Sequence, residues 1–343
     1  MRRFPIPDSF FLDRIRGRTL YASFSGGADS TALILILRQW EIPFAAVHFT
    51  HGIRDAATGM RELDFCRDFC GERGIPFLHR VLCVPERRLK NEGLEEAARR
   101  CRLDAWHEII PPEQRDNSAV ITAHHGDDVR ENLLLRLFRG GNTSSLTGLR
   151  AESLVDGIRF LRPLLRFTKE DLKEVLARSG VTDWNEDITN ASDEAARNFL
   201  RNRILPVIGK RLSFAPGGIL AAASVLAQDA SFLEETAART AMENDLTDAS
   251  VWRTMHPAIR IRVLRLWLSK AAGKSVIPDR RTAERFESFL NLPRTRRPRK
   301  MPVAGTDLRI TLAGNRIGTT RDDSVESGVT GEKDGVRETD RIS

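Results

Sequence analysis

Six consecutive residues, Ser25-Gly26-Gly27-Ala28-Asp29-Ser30, combine the side chains and backbone freedom that an anion site needs. Adjacent glycines let the main chain approach a phosphate closely, and the hydroxyls of Ser25 and Ser30 add donors. Asp29 in the same loop would repel phosphate unless a cation intervened. The residue types therefore imply Mg²⁺ held between Asp29 and phosphate oxygens. The competing reading of so short a motif is a plain glycine turn with a helix cap. A Walker-type loop is excluded, because Gly273-Lys274-Ser275 has Leu268 where that pattern requires glycine.

A second group is His124-His125 followed by Asp128 and Glu131, the two acids three apart and so on one helix face. Such a cluster beside a phosphate loop can hold a cation or remove a proton, and it can equally be a capping set with satisfied hydrogen bonds. His48 and His51 could ligate a metal, but zinc would require two further ligands, so they are read as polar groups lining a pocket. Glu95 and Glu96 favour a helix start. Arg99 and Arg102 share a helix face that either holds a phosphate or is simply solvated. Met242, Met255, Trp252 and Trp267 recur at helical spacing with leucines and are assigned to a core.

The elements that must position these residues alternate. Strands are expected at 20–24, 44–49, 77–84 and 119–123, and helices at 30–40, 61–73, 94–110 and 129–139. This is the pattern of βαβ units around a parallel sheet buried on both faces. The phosphate loop and His124-His125 then fall at the carboxyl ends of strands, where ligands bind in open α/β folds. Ile158 to Leu165 is expected as an edge strand, and Thr168-Lys169-Glu170-Asp171 as a capping box opening a helix that ends near Gly180. Pro216-Gly217-Gly218 is expected to break the chain. Residues 219–290 read as helical, with short strands at 308–318. The expected divisions are an α/β domain over 1–215, a smaller mainly helical domain over 216–320, and a disordered acidic tail over 321–343.

The chain has 343 residues, 41% hydrophobic and 29% charged, which excludes disorder of the whole. Its net charge is +7, and 46 of the 54 basic residues are arginine. The tail carries −3, so residues 1–320 hold +10. A basic, arginine-rich chain favours a polyanionic partner. Residues 294–300 are the densest basic stretch, five groups in seven. The four cysteines, 66, 70, 83 and 101, include no C-x-x-C pair, which argues against a zinc knuckle or redox dithiol and favours reduced, cytosolic thiols. Neither a signal peptide nor a membrane span is expected.

Ser25–Ser30 resembles the pyrophosphate loop, S-G-G-x-D-S, of the N-type ATP pyrophosphatases. Five ordered segments narrow the resemblance to the tRNA(Ile)-lysidine synthases. His48-Phe49-Thr50-His51-Gly52-Ile53-Arg54 is similar to their H-x-x-H-G-L-R, and Glu95-Glu96-Ala97-Ala98-Arg99 through Arg102 to their E-E-A-A-R-x-x-R-Y helix. Ala123-His124-His125 with Asp128 and Glu131 is similar to A-H-H-x-x-D-x-x-E, and Arg162-Pro163-Leu164-Leu165 to R-P-L-L. Trp184, Asp187, Thr189 and Asn190, then Arg197-Asn198, Arg201 and Pro206, complete the set. Leu103 departs from the pattern, standing where the family has tyrosine, and the chain past 320 is short beside the longest members.

The resemblance implies an adenine-nucleotide α-hydrolase type of doubly wound sheet and a ligase using ATP and Mg²⁺. It implies adenylation of C2 of the wobble cytidine in a CAU-anticodon tRNA(Ile), then attack by free L-lysine to form lysidine, releasing AMP and pyrophosphate. It further implies that Ser25, Gly26, Gly27, Ala28, Asp29, Ser30, His48 and His125 contact the nucleotide and that Asp29 binds the metal. Asp29, Asp128 and Glu131 would serve in catalysis, and Arg54, Arg99, Arg102, Arg197 and Arg201 would meet the tRNA. A cytoplasmic location without membrane contact is implied, and a homodimer is compatible with it. The alternatives are another tRNA-modifying ATP pyrophosphatase, such as a cytidine thiolase, and a non-enzymatic nucleotide-binding module.

Overall fold

The computed structural model describes residues 6–141, 143–185, 196–293 and 299–321. The tail from 322 onward, the basic residues 294–298 and the Asp187 to Asn190 segment lie outside the described residues.

Six strands form the main sheet: β1 (Thr19–Ser23), β2 (Ala45–Thr50), β3 (Phe77–Val81), β4 (Ser118–Ile121), β5 (Glu152–Val155) and β6 (Ile158–Leu161). Their order is β3-β2-β1-β4-β6-β5, and every neighbouring pair is parallel except β5 with β6. The inner strands are apolar on both sides, as a parallel sheet covered twice requires. One face packs against helices Ala28–Gln39, Ala56–Gly71 and Lys169–Arg178 through Leu33, Ile36, Phe69 and Leu172. The other packs against helix Leu94–Ile109 through Ala97, Cys101 and Trp106, and Leu103 joins this second core. At Leu103, therefore, apolar packing stands where the resemblance has tyrosine.

Two expectations are corrected. The strand at 158 is not the edge, because β5, which the sequence pattern did not lead us to expect, lies outside it. A local signal for it exists. Asp156 and Gly157 both have positive φ, 47° and 83°, as a two-residue hairpin turn of the Asp-Gly type requires. Pro216-Gly217-Gly218 does not break the chain either, because it lies in the opening turn of helix Ala215–Glu243. A first-turn N–H has no intrahelical partner, so proline loses nothing there.

The chain divides into two compact units, 1–227 and 228–343, and helix Ala215–Glu243 runs through the division. The second unit holds helices Ala249–Thr254, Pro257–Ala272 and Arg280–Leu290, with an antiparallel sheet of β7 (Arg299–Pro302), β8 (Leu308–Ala313) and β9 (Arg316–Arg321). Its core centres on Trp252, which meets Trp267 and Phe286 edge-on and donates its indole N–H to the Leu246 carbonyl at 2.9 Å. Met255 is buried as expected, but Met242 is 87% exposed and is not a core residue. Among the described residues no single helix is long and apolar enough to cross a membrane.

Candidate active site

β1 runs into the loop at Phe24, and helix Ala28–Gln39 begins at once, with Gly27 as a cap that has no side chain to offer. The first N–H groups of this helix are therefore left for an anion. Gly26 has φ +80°, a conformation that glycine adopts without strain. The Ser30 hydroxyl donates to the Gly27 carbonyl at 3.0 Å, which leaves Ser25 Oγ as donor in the 3.0 Å Ser25–Ser30 bond. Thr31 Oγ1 donates to the Gly26 carbonyl at 3.2 Å. The Gly27 N–H rests on Ser25 Oγ at 3.3 Å, and the other three bonds fix the loop without using its N–H groups.

Asp29 sits on the first turn of that helix and faces His125, with Oδ2 3.4 Å from Nε2. His125 caps helix Gly126–Phe138, its Nδ1 accepting from the Asp127 N–H at 3.3 Å. With Nδ1 as acceptor, Nε2 is the ring nitrogen that carries a proton, between Asp29 and Asp128 Oδ2 at 3.6 Å. Burial works against the charge on Asp29. The hydrogen bond and charge of His125, with Lys169 and Arg201 further off, outweigh it and hold the carboxyl below its ordinary range. Its other oxygen, Oδ1, is buried with no hydrogen-bond partner. An orphaned carboxylate oxygen at a phosphate loop is the ligand a hard divalent cation takes. The described residues contain no group of three such ligands, so phosphate and water oxygens would complete the shell.

Asp128 and Glu131 do share a face, and it is a face closed by arginine. Glu131, 1% exposed, accepts from Arg201 Nε at 2.6 Å on one oxygen and from Arg197 Nε at 2.8 Å on the other. Asp128 Oδ1 accepts from Arg197 Nη2 at 2.8 Å, while Oδ2 completes the capping box by accepting from the His125 N–H at 3.0 Å. The cluster thus caps a helix and, through His125, lies beside Asp29. Arg201 lies in a single π-helical turn, Leu200–Ile204. Pro206 explains that turn, since a regular helix would press its ring against the carbonyl four residues back.

The histidines after β2 lie close to the loop. His48 is buried, and its Nδ1 donates to the Phe24 carbonyl at 2.9 Å. Burial lowers its basicity, and burial with the charges of Arg102, His48 and Arg54 brings His51 to about 4. Burial likewise brings His124 to about 4. Arg54 pairs with Glu62. Arg99 and Arg102 are exposed on helix Leu94–Ile109, away from the acid–arginine cluster in hydrogen bonding.

A pocket of about 440 Å³ opens beside His125, Glu131 and Arg201. Charged Asp127, Arg130, Lys169 and Glu170 line it, and Leu205, Pro206, Ile208 and Ile219 form its apolar side. The Lys169 N–H donates to Asp127 Oδ2 at 2.8 Å and joins the starts of two helices. Sequence reasoning gives Lys169 and Glu170 only a helix-opening role and misses their place here. It also misses Asn185, whose N–H donates to the Gly26 carbonyl at 2.9 Å.

A loop between a parallel strand and a helix, aimed at an anion and completed by an aspartate, defines the class to which comparison with known proteins leads. Residues 8–208 match the PP-loop domain family, and the chain belongs to that family, whose members use ATP. Among curated relatives, the tRNA(Ile)-lysidine synthase of Actinobacillus pleuropneumoniae serotype 3 is 30% identical over 262 residues, 75% of this chain and 60% of the relative. That of Salmonella dublin is 31% identical over 294 residues, 82% and 64% respectively. The chain thus spans somewhat under two thirds of the length of these relatives. A solved U34-tRNA thiolase from Methanococcus maripaludis superposes with a TM-score of 0.50 at 15% identity, over 62% of this chain and 74% of that one, a likeness of fold.

Proposed function

We propose that the chain is a tRNA(Ile)-lysidine synthase, joining lysine to the wobble cytidine of a CAU-anticodon tRNA(Ile) at the expense of ATP, in the cytoplasm. The observation that carries the reading is Asp29, placed on the phosphate loop with one oxygen on His125 and the other without a partner. Its sequence context, shared with lysidine synthases over most of the chain, supplies the substrate class.

On this reading Ser25 to Ser30 receive the β- and γ-phosphates through the loop and helix N–H groups, with His48 and His125 at the edges of the nucleotide. When bound, Mg²⁺ would neutralise charge on the leaving pyrophosphate, with Asp29 as its protein ligand. The cytidine C2 oxygen attacks the α-phosphorus and pyrophosphate leaves; the lysine amine then attacks C2 and AMP leaves. A lysine ammonium has a pKa of about 10.4 in water, so the amine must first surrender a proton. Asp128 and Glu131 are the acids proposed to bind it and take that proton. Their oxygens are held by Arg197 and Arg201, so an ammonium enters by displacing a guanidinium. Arg197 is 38% exposed and can yield, whereas Glu131 at 1% cannot move away. Arg54, Arg99 and Arg102 are proposed to meet the tRNA backbone.

The thiolase alternative draws on reactive cysteines, and burial deactivates two of the four in this chain. Burial raises the Cys66 thiol and brings Cys70 to about 12, while Cys101 is buried elsewhere and only Cys83 is exposed. The test is sustained pyrophosphate release from ATP. It should require both tRNA(Ile) and lysine, and turnover without lysine would contradict the proposal.

A further inference from the structure

Asn185 approaches the phosphate loop from a segment 160 residues further along the chain. Its backbone N–H donates to the Gly26 carbonyl at 2.9 Å. Its side-chain nitrogen lies 3.3 Å from the Ser25 carbonyl and 3.4 Å from that of Glu62, on helix Ala56–Gly71. With two carbonyls against its nitrogen, the side-chain amide has one orientation that bonds: a flipped side chain would set Oδ1 against acceptors only. The fit is close enough that a side-chain carbon on Gly26 would collide with this amide. Gly26 is therefore fixed twice, by its positive φ and by Asn185.

A trans peptide points its carbonyl and its N–H in opposite directions. The Ser25 carbonyl shares a peptide plane with the Gly26 N–H, and the Gly26 carbonyl with the Gly27 N–H. Whatever holds the two carbonyls on one side of the loop aims the two N–H groups at the other, where the Gly27 N–H rests on Ser25 Oγ at 3.3 Å, a long bond that a phosphate oxygen would replace. We infer that Asn185 is a positioning residue which sets both peptide planes, so that the Gly26 and Gly27 N–H groups converge on the phosphate chain of the nucleotide. The inference rests on the nucleotide reading of the loop and adds the residue that keeps the loop ready. By tying the loop to Glu62 as well, Asn185 braces it against helix Ala56–Gly71. The ordering is thus complete before phosphate arrives, which removes part of the entropy cost of binding.

The experiment is calorimetric titration of the whole chain with pyrophosphate and with ATP, both with Mg²⁺, comparing the unsubstituted protein with N185A, N185S and N185D. N185A and N185S should weaken both ligands about 5- to 20-fold, the loss that one or two hydrogen bonds of ordinary strength carry. N185D, which sets a carboxylate against carbonyl oxygens, should be weaker still. The KM for ATP should rise while the KM for lysine and the affinity for tRNA stay within twofold, which a general loss of stability would not produce. In the unsubstituted protein, hydrogen exchange of the peptide carrying Gly26 and Gly27 should slow when pyrophosphate is added. Unchanged exchange there overturns the proposal without any substitution. Variants that bind pyrophosphate as the unsubstituted protein does overturn the proposal and leave the nucleotide reading standing. An unsubstituted protein that binds neither ligand overturns both.

Discussion

Arg201 reaches 70 residues back along the chain to Glu131, with Nε at 2.6 Å from one carboxylate oxygen and Nη2 at 2.9 Å from the other. Two such arginines against two buried acids leave the cluster near neutral while placing it beside Asp29. A buried pair adds little when intact, but removing one partner strands the other. Glu131→Gln should therefore cost about 2–4 kcal/mol in chemical denaturation, because Arg197 and Arg201 keep partial access to water. A change under about 0.5 kcal/mol, the scale of an ordinary surface substitution, would show that the arginines simply turn outward.

Asp29→Asn should abolish pyrophosphate release while leaving tRNA affinity close to that of the unsubstituted protein. The carboxylate acts on the nucleotide through its orphaned oxygen and touches no tRNA-directed arginine in a hydrogen bond. Near-normal lysidine formation by this variant would remove the loop from the mechanism.

Much of this arrangement is written locally. The alternation of strands and helices, the glycine loop and the capping residues around His125 are all short-range patterns, and sequence reasoning places them to within a few residues. The exception among local signals is the Asp156-Gly157 turn, which marks β5 although no strand was expected there. What is not legible is partnership across the chain. Nothing near Asn185 announces that it will lie on Gly26, and nothing near Arg197 announces Glu131. Those contacts exist because crossover helices bring distant segments to one sheet edge. Met242 fails for a related reason: helical spacing shows that residues share a face, and only tertiary packing decides whether that face is covered.

Acidification should destabilise the first unit before its carboxylates titrate. In the unfolded chain His51 and His124 take protons near 6.5, whereas in the fold they do so only near 4. The unfolded state therefore binds more protons between these values, and stability falls as pH drops from about 6.5 toward 4. The lowered carboxyl of Asp29 adds a loss in the same direction as pH falls through its folded value. Denaturation midpoints measured from about pH 7 to about pH 4.5 should decline, and the decline should be shallower in His124→Gln. A flat profile would mean that these imidazoles are not held neutral by burial.

The second unit presents Arg299, Lys300, Arg309 and Arg316 on its small sheet, next in sequence to the basic residues 294–298. For every phosphate that is no longer neutralised, the plot of log K against log salt should flatten by roughly 0.7 to 0.9. Replacing Arg294, Arg296, Arg297 and Arg299 with Gln should weaken tRNA binding and flatten that slope, with ATP affinity unchanged. An unaltered slope would make this stretch a solvated linker and move the tRNA-binding surface to the helices of 219–290.

The central claim is chemical, and the product tests it most directly. Purified protein should be incubated with CAU-anticodon tRNA(Ile), ATP, Mg²⁺ and L-lysine, and the nucleosides of the digested tRNA weighed by mass spectrometry. The account predicts a wobble cytidine heavier by one lysine less one water, absent when lysine or ATP is omitted and absent with Asp29→Asn. A cytidine of unchanged mass after ATP has been consumed, or one that has gained sulfur in place of lysine, would contradict it.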